Sequence, residues 1–283
     1  REYYRNLQGG KSTSTVISDV SAVMHLIMND VDVEPSGSFR DFPLTTYSGE
    51  PIPMMTARTS WEEGLDSNSM VVQMNLQGSA YGNHQHADAG HFDIYYKGAL
   101  AIDSGLYESA AFQDENGRNV SSLAYASLHD MNYHKRTVAH NSMLVYDPNE
   151  QVESVYTNYV DGGQRLINGG MEPDTVEEMQ REENRTADVL GYDFGPDAKQ
   201  PAYSYLKGDL TKAYSDKVEQ YSRSFLFLNF FDEEYPGALI VLDNVTGTNA
   251  SFQKSWLLHS EEEPQTEGTR TTIQRTEYGY HGK

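Results

Sequence analysis

The chain has 283 residues, long enough to bury a sizeable core as one large β-domain or two modest ones. It carries 42 Asp+Glu against 21 Lys+Arg, a formal net charge of −21. That argues against phosphate-tracking nucleic-acid binding and against docking on an anionic membrane. With no Cys, disulfide frameworks, Cys-ligated zinc and iron–sulfur clusters are excluded. No apolar run approaches the roughly 18 residues of a membrane span, and no signal peptide opens the sequence.

Residues 12–29 hold the one convincing helical stripe. Val16, Ile17, Val20, Val23, Met24, Ile27 and Met28 recur at three-to-four spacing behind capping Ser and Thr. A turn-rich linker follows, and from about residue 42 the pattern turns to strands. The segments 70–76, 91–97, 99–103, 140–146, 222–231, 237–243 and 252–258 are short, β-branched or aromatic, and bounded by turn residues. Lys97-Gly98 and Asp147-Pro148 punctuate them, and 243–249 reads as a hairpin loop. Residues 171–197 hold nine acidic residues against two Arg, which reads as an exposed insertion or mobile loop. With 20 Tyr, 10 Phe and 23 Gly, the expected fold is a mainly-β antiparallel sandwich over 35–283, preceded by a helical segment over 1–34.

Three of the nine His fall within Asn83-His84-Gln85-His86-Ala87-Asp88-Ala89-Gly90-His91. On a strand beginning by His84, His84 and His86 share a face and aim nitrogen at one divalent cation. Without a metal they are a pair of polar or catalytic histidines. Asp103 ends an apolar run, where a carboxylate is costly unless paired or ligated, and His140 opens another. A His86, Asp103 and His140 set from three strands suits zinc with an open fourth position, and tolerates manganese. Gly78, His84, His86, His91 and Gly98 come close to a first cupin signature. The second signature needs a Pro that residues 112–130 lack, so the cupin reading is set aside. His129 and His134 read as surface or groove-lining, His91 as packing locally, His259 as a strand-end polar residue or a groove residue, and Trp256 as core.

Five ordered blocks carry a resemblance: Asn83 to Phe92, Tyr95 to Tyr107, Asn132 to Asn141, Tyr205 to Tyr214 and Lys254 to Ser260. Together they resemble the C-terminal β-domain of heparinase II/III-like polysaccharide lyases, with alginate lyases and heparinase II-type members closest. The resemblance spans roughly residues 42–260. It implies that His84 is catalytic or substrate-positioning, that Tyr107 lies near the substrate groove, and that His86, Asp103 and His140 ligate zinc. It further implies that Asn83 donates to a uronate carboxylate, with Lys135 and Arg136 also toward the anionic polysaccharide substrate. The implied reaction is β-elimination at a uronic acid, in a secreted or periplasmic bacterial setting.

Members of that family carry a long α/α toroid ahead of the β-domain, supplying a catalytic Tyr and another His. Here 12–29 would be the toroid's last piece, so the upstream domain is an expected partner and the chain alone is expected to be inactive. Few basic residues lie near the motifs: Lys97, Arg118, Lys135 and Arg136. Sulfated chains demand clustered cations, so alginate is favoured over heparin or heparan sulfate. A non-catalytic, metal-stapled carbohydrate-binding domain is the competing reading.

Overall fold

The computed structural model describes residues 37–80, 82, 84–105, 129–152, 160–167 and 173–283. The helix expected over 12–29 and the whole 1–34 segment lie outside these residues, as do Asn83 and Tyr107. The chain divides into two compact units, Arg1–Pro43 and Leu44–Lys283. Among the described residues of the first, a 3-10 turn at Phe39–Asp41 is closed by a capping box, with the Ser38 amide donating to Asp41 Oδ2 at 2.9 Å.

The second unit opens with five antiparallel strands in chain order: β1 (Thr45–Ser48), β2 (Met54–Arg58), β3 (Met70–Asn75), β4 (Phe92–Tyr96) and β5 (Ala99–Ala101). As the sequence predicted, Lys97 and Gly98 turn β4 into β5, both at positive φ (49° and 137°). Then come β6 (Met143–Tyr146) and a one-turn helix α1 (Val176–Met179). A second antiparallel meander follows, formed by β7 (Asp188–Gly195), β8 (Tyr203–Asp209), β9 (Val218–Asn229) and β10 (Gly237–Gly247). The remaining strands are β11 (Gln253–Trp256), paired with β6, and the hairpin β12 (Gln265–Glu267) and β13 (Arg270–Thr272).

Strict alternation makes these strands two-faced. In β3, Met70, Val72 and Met74 are buried while their neighbours are half-exposed, and β9 buries Tyr221, Arg223, Phe225 and Phe227 in the same way. Both faces contribute to one apolar cluster, so the two sheets pack face to face as an antiparallel β-sandwich. Phe92 meets Phe225 edge-on at 6.1 Å, and Thr45 Oγ1 bonds Ser204 Oγ across the gap at 2.7 Å. A Cβ on Gly208 of β8 would come within 2.6 Å of a Leu76 methyl; glycine lets the layers close there. Burial of each large side chain in this layer contributes about 1.5–3 kcal/mol.

The structure corrects five local expectations. The 84–91 segment is loop up to Gly90, and β4 starts only at Phe92, because its amides turn elsewhere first: that of Ala87 donates to the Lys135 carbonyl at 2.8 Å and that of Ala89 to Gln164 Oε1 at 2.9 Å, before Gly90 and His91 reach Asn75 of β3. His140 likewise opens no strand; it follows a 3-10 turn at Thr137–Ala139, and β6 begins at Met143. The 243–249 segment is mostly strand, since β10 continues pairing with β9 to Gly247. Within the acidic stretch, β7 is an ordered edge strand: its backbone pairs with β8 while Leu190, Tyr192 and Asp193 remain exposed. Trp256, expected in the core, is 46% exposed, with its indole N–H on Asp243 Oδ2 at 3.0 Å.

Candidate metal centre

Three connections converge at one end of β4 and β5. Asp103 lies just past β5, where its amide donates to Asp93 Oδ1 at 3.1 Å and its own Oδ1 accepts the Gly105 amide at 2.7 Å. A side chain at Gly105 would strike the His134 carbonyl at 2.4 Å, so glycine is required for this close approach. The loop carrying His86 is held at both ends of its peptide links. Gln77 Nε2 donates to the His86 carbonyl at 2.7 Å, and Thr137 Oγ1 to that of Ala87 at 2.7 Å. His140 is fully buried, and its Nδ1 sits 2.8 Å from the Arg136 carbonyl.

The result is a compact trio. His86 Nδ1 lies 2.8 Å from His140 Nε2 and 3.1 Å from Asp103 Oδ2, and His140 Nε2 lies 3.2 Å from Asp103 Oδ1. Among the described residues, these are the three whose donor atoms cluster closely enough to share one metal ion. Because a carbonyl can only accept, His140 carries its proton on Nδ1 when neutral and turns a lone pair inward from Nε2. Burial alone would raise the Asp103 pKa, but when the rings are protonated, hydrogen bonds from His140 and then His86 outweigh it and hold the carboxyl well below the usual range. Two imidazole nitrogens and an ionised carboxylate are a donor set that fits zinc or manganese, leaving room for further ligands.

Around the trio sit residues whose part the sequence did not disclose. His134, expected at the surface or lining a groove, is buried: it packs edge-on against His86 with ring centroids 4.5 Å apart. Its Nδ1 lies 3.2 Å from Asp130 Oδ1 across a single π-helical turn, Asp130–His134. Burial, followed by the electrostatic influence of the adjacent His86, lowers the His134 pKa to about 4. His129 is half-buried beside Tyr133. His91 packs locally as predicted, with Nδ1 accepting the Asn141 amide at 3.0 Å and Nε2 3.1 Å from Asp93 Oδ1. Asn141 ties three connections together: Nδ2 donates to the carbonyls of Phe92 (2.8 Å) and Ile102 (3.2 Å), while Oδ1 accepts the His259 amide at 2.7 Å.

Arg223 of β9 is the deepest support. It forms a two-point pair with Asp243 of β10 (2.7 and 2.8 Å), and its Nη1 donates to the carbonyls of Gly90 (2.5 Å) and Asn141 (2.9 Å). One guanidinium therefore joins the second sheet to two site-bearing loops. In sequence it is only a charged interruption of an apolar strand; the signal lies in its register opposite Asp243.

Other sequence-assigned residues stand apart from the trio. His84 is exposed, two positions before His86. Lys135 and Arg136 are buried: Lys135 Nζ lies 3.3 Å from Asp130 Oδ2, and Arg136 grips Asp161 with two bonds of 2.8 and 2.7 Å. A pocket of about 50 Å³ opens beside His86, between the 77–87 and 164–167 segments.

No family model matches the chain, and no curated protein matches it. Among solved structures, a heparinase III gene product aligns at a TM-score of 0.45 with 17% identity, covering 82% of this chain and 26% of that one. A structure of heparinase III with methylated lysines aligns at 0.45 with 14% identity, covering 94% of this chain and 30% of that one. The chain thus spans less than a third of the length of either.

Proposed function

We propose that this β-sandwich is part of a polysaccharide lyase that cleaves uronic-acid-containing polysaccharide by β-elimination, with alginate the favoured substrate and a secreted or periplasmic location. The observation that carries the proposal is the meeting of His86, Asp103 and His140 within 3.2 Å of one another. These residues come from three separate blocks of the sequence resemblance.

In this reaction a base removes the proton at C5 of a uronate while the C4 glycosidic oxygen departs. The site must counter the carboxylate charge, stabilise the enolate-like intermediate and return a proton to the leaving oxygen. His84, exposed two positions before His86, is assigned to positioning or proton transfer; on the resemblance alone, Tyr107 and Asn83 are assigned to the groove, with a further tyrosine from an upstream α-domain. His86, Asp103 and His140 would hold zinc, or manganese, which braces the loop ahead of His86 and screens the trio's charge. Asp103 stays ionised, and His140 keeps its proton on Nδ1 against the Arg136 carbonyl.

Charge supports alginate. Lys135 and Arg136 are internal and engaged with Asp130 and Asp161, leaving a net −21 chain with still less basic surface for sulfates. Among the described residues, no helix is long and apolar enough to cross a membrane. The test is the appearance of unsaturated uronate absorbance when the chain, joined to its upstream domain, meets alginate or heparan sulfate. Turnover of alginate supports the proposal; turnover of heparan sulfate alone corrects the substrate. Binding of either without product favours a metal-stapled binding domain.

A further inference from the structure

The pocket beside His86 has about 50 Å³ of room. One water needs roughly 10–15 Å³ on this scale, so the space takes a few waters or one carboxylate group, but no sugar ring. Its polar wall consists of Gln77, Gln85, His86, Gln164, Arg165 and Thr186, and among the described residues no acidic side chain lines it. Most of those groups are already engaged. Gln164 bonds both the amide and the carbonyl of Ala89. Gln77 Nε2 serves the His86 carbonyl and Asp88, and Thr186 Oγ1 serves the Gln77 carbonyl.

Arg165 differs. Its Nε donates to the Lys212 carbonyl at 2.6 Å and its Nη2 to the Arg185 carbonyl at 2.9 Å. Both acceptors are neutral backbone groups, and among the described residues Arg165 has no carboxylate partner. By contrast Arg136, Arg185, Arg223 and Arg275 each have at least one. In a chain with twice as many acids as bases, a half-buried guanidinium without a carboxylate partner is uncommon, and Arg58, the comparable case, lies over the Trp61 ring instead of facing a pocket. Desolvation lowers its pKa, whereas the Glu50 hydrogen bond leads in raising that of Arg185. Two carbonyls fix its plane, so a carboxylate meets a fork that is already oriented.

We infer that Arg165, in the wall of the pocket beside His86, is the docking cation for a single carboxylate of an anionic ligand. On the lyase reading, which supplies the identity of the carrier, that group is a uronate carboxylate seated next to the reacting unit.

The test is calorimetric titration of the 283-residue chain with alginate oligouronates and with their methyl esters, for wild type, Arg165→Lys and Arg165→Gln, each checked by thermal melting. Arg165→Gln is expected to weaken oligouronate binding at least tenfold, with part of the loss recovered in Arg165→Lys. The esters should bind weakly and equally to all three proteins. Unchanged affinity in Arg165→Gln, an equal loss for the esters, or no binding by wild type would overturn the inference. The titration requires no turnover. Arg165-dependent binding without unsaturated product from the domain-restored protein leaves the pocket standing and removes the lyase. Product formed by Arg165→Gln at wild-type KM does the reverse.

Discussion

His140 Nδ1 donates to the carbonyl of Arg136, four residues earlier, at 2.8 Å. This bond orients the ring and leaves Nε2 as a lone pair facing His86 Nδ1 and Asp103. The chain is accordingly expected to bind one equivalent of zinc or cobalt, measurable by elemental analysis and by the visible spectrum of the cobalt form. His140→Ala and Asp103→Ala should each weaken binding at least a hundredfold. At a hundredfold excess of metal over Kd the bound ion adds about 2.7 kcal/mol. Chelation should then lower the Tm by about 5–10 °C, given about 2–4 °C per kcal/mol for domains of this size. Equal metal content in both variants would remove the centre.

The Arg223–Asp243 pair is expected to be needed for stability and for the site at once. Arg223→Met leaves Asp243 without its charge partner and frees the carbonyls of Gly90 and Asn141. Breaking a buried pair of this kind costs about 3–5 kcal/mol, readable in urea unfolding. The double variant Arg223→Met/Asp243→Leu should recover part of that stability, because no unpaired charge remains, yet should still bind metal more weakly than wild type. Full metal affinity in the double variant would show that Arg223 supports the sheet only.

Much of this architecture was legible in the sequence, for a physical reason. Strands buried on one face declare themselves by alternation, as β3 does with Met70, Val72 and Met74, and β9 with Tyr221, Phe225 and Phe227. The trio was legible because its residue types are rare and each sits in its own block. What stayed hidden depends on partners distant in sequence. Edge strand β7 is made by backbone pairing to β8, to which its acidic side chains are indifferent. His134 and Asp130 stand in a polar stretch and are buried only because the turn folds inward behind His86. Lys135 and Arg136 resemble surface cations until the inward turn sets Asp130 against Lys135 and Asp161 meets Arg136 from another connection. Loop 84–91 passes for strand by spacing alone, yet Gly90 at φ +83° bulges the chain where it joins Asn75 of β3, and regular pairing starts only at Phe92.

Gly90 supplies a third test. A Cβ at this position would lie 2.5 Å from a Leu210 methyl and 3.4 Å from Arg223 Cδ, with the backbone in the left-handed region. Gly90→Ala is therefore expected to cost about 2 kcal/mol or more by strain and overpacking together. Since Gly90 lies between His86 and His91, metal affinity should fall as well. A control, Gly49→Ala, has open space around its Cβ and positive φ is absent there, so it should leave both properties near wild type. A melting curve for each, with and without metal, separates the two effects. An unperturbed Gly90→Ala protein would mean that the loop adapts freely.

Asp161 gives the clearest pH dependence. Burial by itself raises its pKa, but the hydrogen bonds and charge of Arg136, with help from the Gly163 amide, bring it below the ordinary value. A carboxylate with a lowered folded-state pKa binds fewer protons in the native state than in the unfolded chain near pH 4. Its stabilisation is complete above the unfolded pKa of about 3.9 and is lost as pH falls through the lower folded value. Asp161→Asn should therefore be less stable than wild type at neutral pH, by about 3–5 kcal/mol for a buried pair losing one charge. The gap should hold down to about pH 4 and close below it, as the wild-type carboxyl protonates and Arg136 loses its partner there too. Urea unfolding of both proteins from pH 7 to pH 3 measures that difference directly. A gap that stays constant across the range would mean that Asp161 acts through hydrogen-bond geometry, with its charge contributing nothing.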